Sequence, residues 1–151
     1  MLGVGSFGQV FCGLDQASGK RIAVKQVPVS RLGIETEIQK KQVIALEHEI
    51  ELLKTLQHRN IVKYLGTANT KQSINIFLEF VGGGSLQQIY RRYRMGESLI
   101  RRYSEHILSG IEYLHFNNLI HRDIKSANIL VELDGTCKLA DFGGSKKCEV
   151  G

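Results

Sequence analysis

Cysteine is scarce in this sequence: Cys12, Cys137 and Cys148 are an odd number with no close pair, and no C-x-x-C spacing or Cys/His ladder accompanies them. That excludes a disulfide framework and a zinc module of ordinary spacing, and points to free thiols in a reducing compartment. Long apolar runs are missing too; no stretch approaches the ~18 apolar residues of a membrane-spanning helix. The uncharged opening, Met1 to Leu14, lacks a basic leader and holds four glycines, so it suits a loop better than a secretory signal. The expectation is a cytoplasmic protein (cytosolic or nuclear) with no membrane partner. Internal repeats, low-complexity tracts and long linkers are also absent.

Proline occurs once, as Pro28, where it would end a strand. Aromatics are thin around the densest basic cluster, Arg91, Arg92, Arg94, Arg101 and Arg102, with only Tyr90, Tyr93 and Tyr103 nearby. Nucleic-acid binding wants a basic stripe with stacking aromatics, so no nucleic-acid partner is expected. The cluster reads as a solvated helix face, with an acidic partner or peptide as the alternative.

What is present is ordinary for a soluble globular protein: 151 residues, 42% apolar, 23% charged, formal charge +5. Val10 to Leu14 and Lys20 to Val27 read as strands joined by the turn residues Asp15-Gln-Ala-Ser-Gly19. From about Thr36 to Gln57 the pattern is helical, with Leu46, Ile50 and Leu53 on one face, widened by Leu52 and Leu56. Ile61 to Leu65 and Ile74 to Val81 are strand-like. Gly82-Gly-Gly breaks the chain, and Ser85 can cap a short helix from about Leu86 to Arg94. A longer helix follows from about Ser98 to Asn117, built on Tyr103, Ile107, Ile111 and Leu114. After a polar loop come short strands at Ile129 to Val131 and Cys137 to Ala140, separated by Asp134-Gly135. Strands around one helix, then helices, then short strands give an α+β class: an antiparallel-sheet lobe followed by a mainly helical one.

Four groups of residues carry chemistry. Gly3-x-Gly5-x-x-Gly8-x-Val10 allows close approach of backbone N–H groups to phosphate. The same pattern can open a dinucleotide-binding fold, but that needs a helix after it, and Val10 to Leu14 is strand-forming. Ala23-Val24-Lys25 sets a lysine among apolar strand neighbours, which suits an anion, although an edge strand carrying lysine is the plainer alternative. Glu49 on the long helix is its candidate tertiary partner. His121-Arg-Asp-Ile-Lys-Ser-Ala-Asn128 gathers Asp123, Lys125 and Asn128 in one loop: a carboxylate to accept a proton, an ammonium to neutralise phosphate, an amide to ligate a hard cation. Asp141-Phe142-Gly143 puts a second carboxylate at a strand end, a natural place for Mg²⁺.

In this order the four groups resemble the eukaryotic protein kinase motif series. Lys125 in His-Arg-Asp-x-Lys resembles the serine/threonine branch. Ala45 to Lys54, Leu56 to Val62, Gly83 to Leu86, His121 to Leu130 and Lys138 to Lys147 resemble the MAP kinase kinase kinases most. The resemblance implies residues 1–81 as the small lobe and 82–151 as part of the large lobe. It implies ATP and Mg²⁺ as cofactors, and a protein substrate, with a MAP kinase kinase as the finer expectation. Gly3, Val4, Gly5, Ser6, Phe7 and Gly8 would cover the phosphates; Lys25, positioned by Glu49, would hold the α- and β-phosphates. Val10, Ala23 and Leu130 would sandwich adenine, Leu78 would back the pocket, and the hinge Glu79-Phe80-Val81 would bond the base through its backbone. Asp123 would orient the substrate hydroxyl and accept its proton, and Asn128 and Asp141 would hold the metal.

Against the family pattern the chain starts almost on the glycine loop and stops just past Asp-Phe-Gly, short of the later large-lobe helices. The expectation is that His121 and the helix Ser98 to Asn117 leave apolar surface uncovered. Such a fragment would bind Mg·ATP weakly and transfer phosphate poorly, and a non-catalytic nucleotide-binding module is the competing function. Gly144 stands where the subgroup suggests alanine, which would loosen that segment.

Overall fold

The computed structural model describes residues 1–4, 8–28 and 37–148. They form two compact units, Met1–Leu56 with Lys63–Phe80, and Gln57–Val62 with Val81–Gly151.

The first unit is a five-stranded antiparallel sheet. Its strands are β1 (Gly3–Val4), β2 (Gln9–Leu14), β3 (Arg21–Pro28), β4 (Tyr64–Asn69) and β5 (Ser73–Glu79), in the order β1-β2-β3-β5-β4. The β2–β3 turn is held by Asp15, which accepts from the Ala17 N–H at 3.1 Å and from the Ser18 hydroxyl. Gly19 completes it at φ 69°, a conformation that costs glycine little. Gly8 is required for a different reason: a Cβ there would lie 2.0 Å from the Gln26 carbonyl oxygen of β3. The strand β3 is central, pairing Val10 with Lys25 on one side and Lys25 with Ile76 on the other. Its alternation puts Lys25 and Val27 into the interior, with Ile76 fully buried beside them.

Helix α1 (Glu37–Thr55) belongs to the same unit. Leu46, Glu49, Leu53 and Leu56 are buried at spacings of helical period, with Leu52 widening the stripe. A carboxylate thus sits in the middle of an apolar face. The start expected at Thr36 lies outside the described residues.

The second unit carries α2 (Leu86–Arg92), α3 (Glu97–Phe116), and two small antiparallel pairs. Strand β6 (Leu119–Ile120) pairs with β9 (Lys146–Lys147), and β7 (Ile129–Val131) with β8 (Cys137–Leu139). Ser85 caps α2 as its composition suggests: its hydroxyl accepts from the Gln88 N–H, and the Gln88 side chain accepts from the Ser85 N–H. Of the four residues expected to face inward on α3, Tyr103 and Leu114 are buried, while Ile107 and Ile111 are half-buried. Leu99, Ile100, Leu108 and Phe116 of α3 are exposed, Phe116 by 87%.

The expected strand Ile61 to Leu65 is corrected. Strand β4 begins only at Tyr64 and runs on through Gly66-Thr-Ala-Asn69, polar and small residues with no strand pattern of their own, because β5 supplies their partners. Ile61 instead forms a parallel bridge with Leu139. Asn60 and Val62 complete that junction: the Leu139 N–H donates to the Asn60 oxygen at 2.8 Å, and the Val62 N–H to the Leu139 oxygen at 3.0 Å. The Asn60 side chain also donates to the Cys137 carbonyl at 2.8 Å. Gly110 permits this approach, since a Cβ there would meet the Asn60 oxygen at 2.9 Å.

Candidate active site

In the sheet unit, Lys25 and Glu49 meet. The Lys25 Nζ lies 2.7 Å from the Glu49 Oε1, and the two side chains are 5% and 2% exposed. Strand register supplies the lysine and the α1 stripe supplies the carboxylate. Val10 pairs across β2–β3 with Lys25, and Ala23 pairs with Leu78; all three apolar side chains are half-buried. Glu79 ends β5, where its N–H donates to the Lys63 oxygen at 2.9 Å and its carboxylate accepts from the Lys63 N–H at 2.7 Å. Gly3 and Val4 form β1 and Gly8 abuts β3; Gly5, Ser6 and Phe7 lie outside the described residues.

In the helical unit, Asp123, Lys125 and Asn128 come together. The Asp123 Oδ2 accepts from the Lys125 ammonium at 2.8 Å and from the Asn128 amide nitrogen at 2.8 Å. The same amide also donates to the Asp123 carbonyl at 2.9 Å. Lys125 holds the Asp123 carboxyl below the usual carboxylate range, helped by Asn128 and opposed by partial desolvation. An ionised carboxylate with 41% of its side chain open to solvent is thereby fixed in orientation. A tight 3₁₀ turn at Ser126–Asn128 closes the loop, with the Asn128 N–H donating to the Lys125 oxygen at 2.8 Å. Leu130 follows on β7, half-buried, and Val81 is buried in the same unit.

The second carboxylate is tied to this loop through its neighbour: the Ala140 N–H donates to the Asn128 carbonyl at 2.9 Å. Asp141 itself adopts φ 63°, a left-handed conformation that costs a non-glycine residue of order 1–3 kcal/mol. His121 joins the two segments. Its Nδ1 accepts from the Asp123 N–H at 3.3 Å, which leaves Nε2 as the protonated nitrogen, donating to the Ala140 carbonyl at 3.1 Å. The ring packs on Phe142 with centroids 4.8 Å apart. Burial pushes the His121 pKa below its ordinary value, against the opposing pull of the Ala140 bond and of Asp123 and Asp141. The expectation that His121 is left uncovered is therefore corrected: it is buried, because Phe142 and the Ala140 carbonyl supply its environment.

The buried lysine–glutamate pair of the one unit, and in the other an ionised carboxylate held by lysine and asparagine with a second carboxylate at Asp141, are residue types that phosphoryl-transfer sites use. Comparison with known proteins decides the family. The protein kinase domain model matches residues 1–151. The chain belongs to the protein kinase domain family. It is 45% identical over 148 residues to mitogen-activated protein kinase kinase kinase 3 of Arabidopsis thaliana, covering 97% of this chain and 23% of that protein. It is 47% identical over 153 residues to the mitogen-activated protein kinase kinase kinase MST11 of Pyricularia oryzae, covering 99% and 17%. With mitogen-activated protein kinase kinase kinase 1a of Physcomitrium patens it shares 47% over 148 residues, 98% and 19%. The kinase chain thus spans about a fifth of the length of these relatives.

Several residues of the kinase site escaped sequence reasoning. Arg122, at φ 65°, donates through Nε to the Gly144 carbonyl at 2.5 Å, locking the loop of residues 121–128 to the segment after Asp-Phe-Gly. Ser145 is buried and donates to the His121 carbonyl at 3.3 Å. The signal for both was present, as a basic residue and a serine beside recognised motifs, but nothing in their spacing disclosed a mutual contact. Gly144 leaves room for alanine, since a Cβ there would meet its nearest neighbour, the His121 oxygen, at 3.7 Å.

Proposed function

We propose that this chain transfers the terminal phosphoryl group of ATP to a serine or threonine hydroxyl of a protein, and that its substrate is a MAP kinase kinase. The observation that carries this reading is the Asp123 constellation: an ionised carboxylate, half open to solvent, with one oxygen engaged by Lys125 and Asn128. Such a group can receive the hydroxyl proton as the oxygen attacks phosphorus. Lys125 then stands beside the acceptor with a positive charge to offset the charge on the transferred group. Support for the substrate comes from the relatives, which are mitogen-activated protein kinase kinase kinases.

The family implies Mg²⁺, and the donor set fits it. Asp141 offers a carboxylate, and Asn128 turns its amide nitrogen toward Asp123, so that its oxygen can face a hard cation. When bound, the ion would neutralise phosphate charge. Lys25, steadied by Glu49, would bind the α- and β-phosphates, and the backbone from Gly3 to Gly8 would cover them. Val10, Ala23 and Leu78 offer apolar surface to adenine, and Leu130 is assigned the same role. The Glu79 N–H is committed to Lys63, so the base would use the Glu79 carbonyl and the Val81 backbone.

Incubation with radiolabelled Mg·ATP and a catalytically dead MAP kinase kinase tests the reading. Label recovered as phosphoserine or phosphothreonine supports it, and label on neither overturns it. A melt run alongside tests nucleotide binding: saturation at ~100 times the dissociation constant adds ~2.7 kcal/mol, and Lys25→Met should abolish the gain.

A further inference from the structure

The arginine cluster that the motifs leave unexplained lies beside the catalytic loop. Helix α2 packs against the 3₁₀ turn Ser126–Asn128 and against β7. Its entry is pinned there by backbone bonds: the Gly83 N–H donates to the Val131 oxygen and the Val131 N–H to the Gly84 oxygen, both at 2.9 Å. The capping box then sets the helix start, so the position of every α2 residue relative to the loop is determined. That helix therefore runs alongside Ser126–Asn128, the turn that directly follows Lys125.

Arg91 and Arg92 end α2, Arg94 follows in the short link to α3, and all three are exposed. Among the described residues only Arg101 of the cluster makes an ion pair, with Glu97 at 3.5 Å. Basic side chains near a helix C-terminus are favourable in themselves, but two would meet that need. Among the described residues no acid pairs with Arg91, Arg92 or Arg94, so surplus positive charge stands on the helix that packs against the turn following Lys125.

We propose that Arg91, Arg92 and Arg94 form a substrate-selecting surface, which takes protein segments carrying aspartate or glutamate beside the serine or threonine to be phosphorylated. The inference rests on the kinase reading above and adds the class of sequence that the site prefers. Arginine suits the task because its planar fork binds carboxylates in pairs of hydrogen bonds. The pairs form at an exposed surface, so each is worth little and their sum is sensitive to salt.

The test uses two fluorescent peptides with one central serine, identical except that flanking glutamates in the first are glutamines in the second. Direct binding is measured by anisotropy, and phosphorylation separately. The chain should bind the acidic peptide about tenfold tighter, equivalent to ~1.4 kcal/mol. Raising the salt should reduce the difference, and the variant Arg91→Gln/Arg92→Gln/Arg94→Gln should remove it. In transfer assays the same preference should appear in KM, with kcat on the glutamine peptide unchanged by the triple substitution. Equal binding of the two peptides, or a preference that survives the triple variant, overturns the proposal and leaves the kinase reading intact. Binding of the acidic peptide with no transfer to either overturns the kinase reading, and substrate selection falls with it. Single-stranded polyadenylate bound as tightly as the acidic peptide would make the arginines a general polyanion surface and also overturn the proposal.

Discussion

Removing one member of the Lys25–Glu49 pair should destabilise the chain severely, and removing both should not. At 2.7 Å, with the side chains 5% and 2% exposed, the pair is withdrawn from water almost completely. A buried charge left without its partner costs about 3–5 kcal/mol, whereas replacement of the whole pair by apolar groups of similar volume is often neutral. Against a total stability of about 5–15 kcal/mol, Lys25→Met or Glu49→Leu alone brings the sheet unit close to unfolding. The double variant puts two apolar side chains where β3 and the α1 stripe already bury Val27, Leu46 and Leu53. It should recover to within ~1 kcal/mol of the parent. Urea titration followed by far-ultraviolet circular dichroism reads this as a shift in midpoint at constant slope. Thermal midpoints should fall by roughly 6–20 °C in the single variants, at about 2–4 °C per kcal/mol for a chain of this size. Nucleotide binding should be lost in all three, which separates the stability of the pair from its function. Single variants that lose less than ~1 kcal/mol, or a double variant that loses the sum of the two, would refute the reasoning.

Gly8→Ala should cost about 1–3 kcal/mol or more, because its Cβ would strike the Gln26 carbonyl at 2.0 Å. Gly144→Ala, whose Cβ meets nothing closer than 3.7 Å, should be neutral or stabilising by up to ~1 kcal/mol; denaturant midpoints of the two compare them directly. Stability should decline as the pH falls below 6.5, the ordinary histidine value. The folded-state pKa of His121 is lowered, so the unfolded chain takes up the proton first; the contribution is complete above 6.5 and is lost toward the folded pKa. His121→Gln should flatten that slope, while His58, also lowered by burial, still titrates in the variant. A thiol reagent at neutral pH should label exposed Cys12 rapidly and spare Cys137, whose pKa burial pushes up to about 11, until denaturant is added.

The site was legible where residue type contradicts its surroundings. Lysine in an apolar strand, Glu49 in an apolar helical stripe, and three polar groups crowded between apolar segments are each odd choices unless they serve an anion or a proton. Their burial and pairing in the structure follow the same logic. The elements that escaped lack a local signature. Two-residue strands β6 and β9 have no periodicity to read, and β4 owes its length to β5 rather than to its own residues. Ile61 and Val62 carry a strand composition, yet Ile61 bridges to Leu139 of β8 and the Val62 N–H donates to the Leu139 oxygen, within the same unit, a choice that only tertiary structure makes. Gly8 was read as a phosphate-facing glycine, while the contact that forbids a side chain there is with the neighbouring strand.

The central claim is tested most directly by the rate of phosphoryl transfer from Mg·ATP to a serine or threonine substrate, measured for the chain and for Asp123→Asn. The amide keeps the shape of the group and can still accept from Lys125, but it cannot receive a proton. The account predicts transfer by the chain and a loss of at least ~10²-fold in the variant, with the melting midpoint little changed. Equal transfer by both proteins would contradict it.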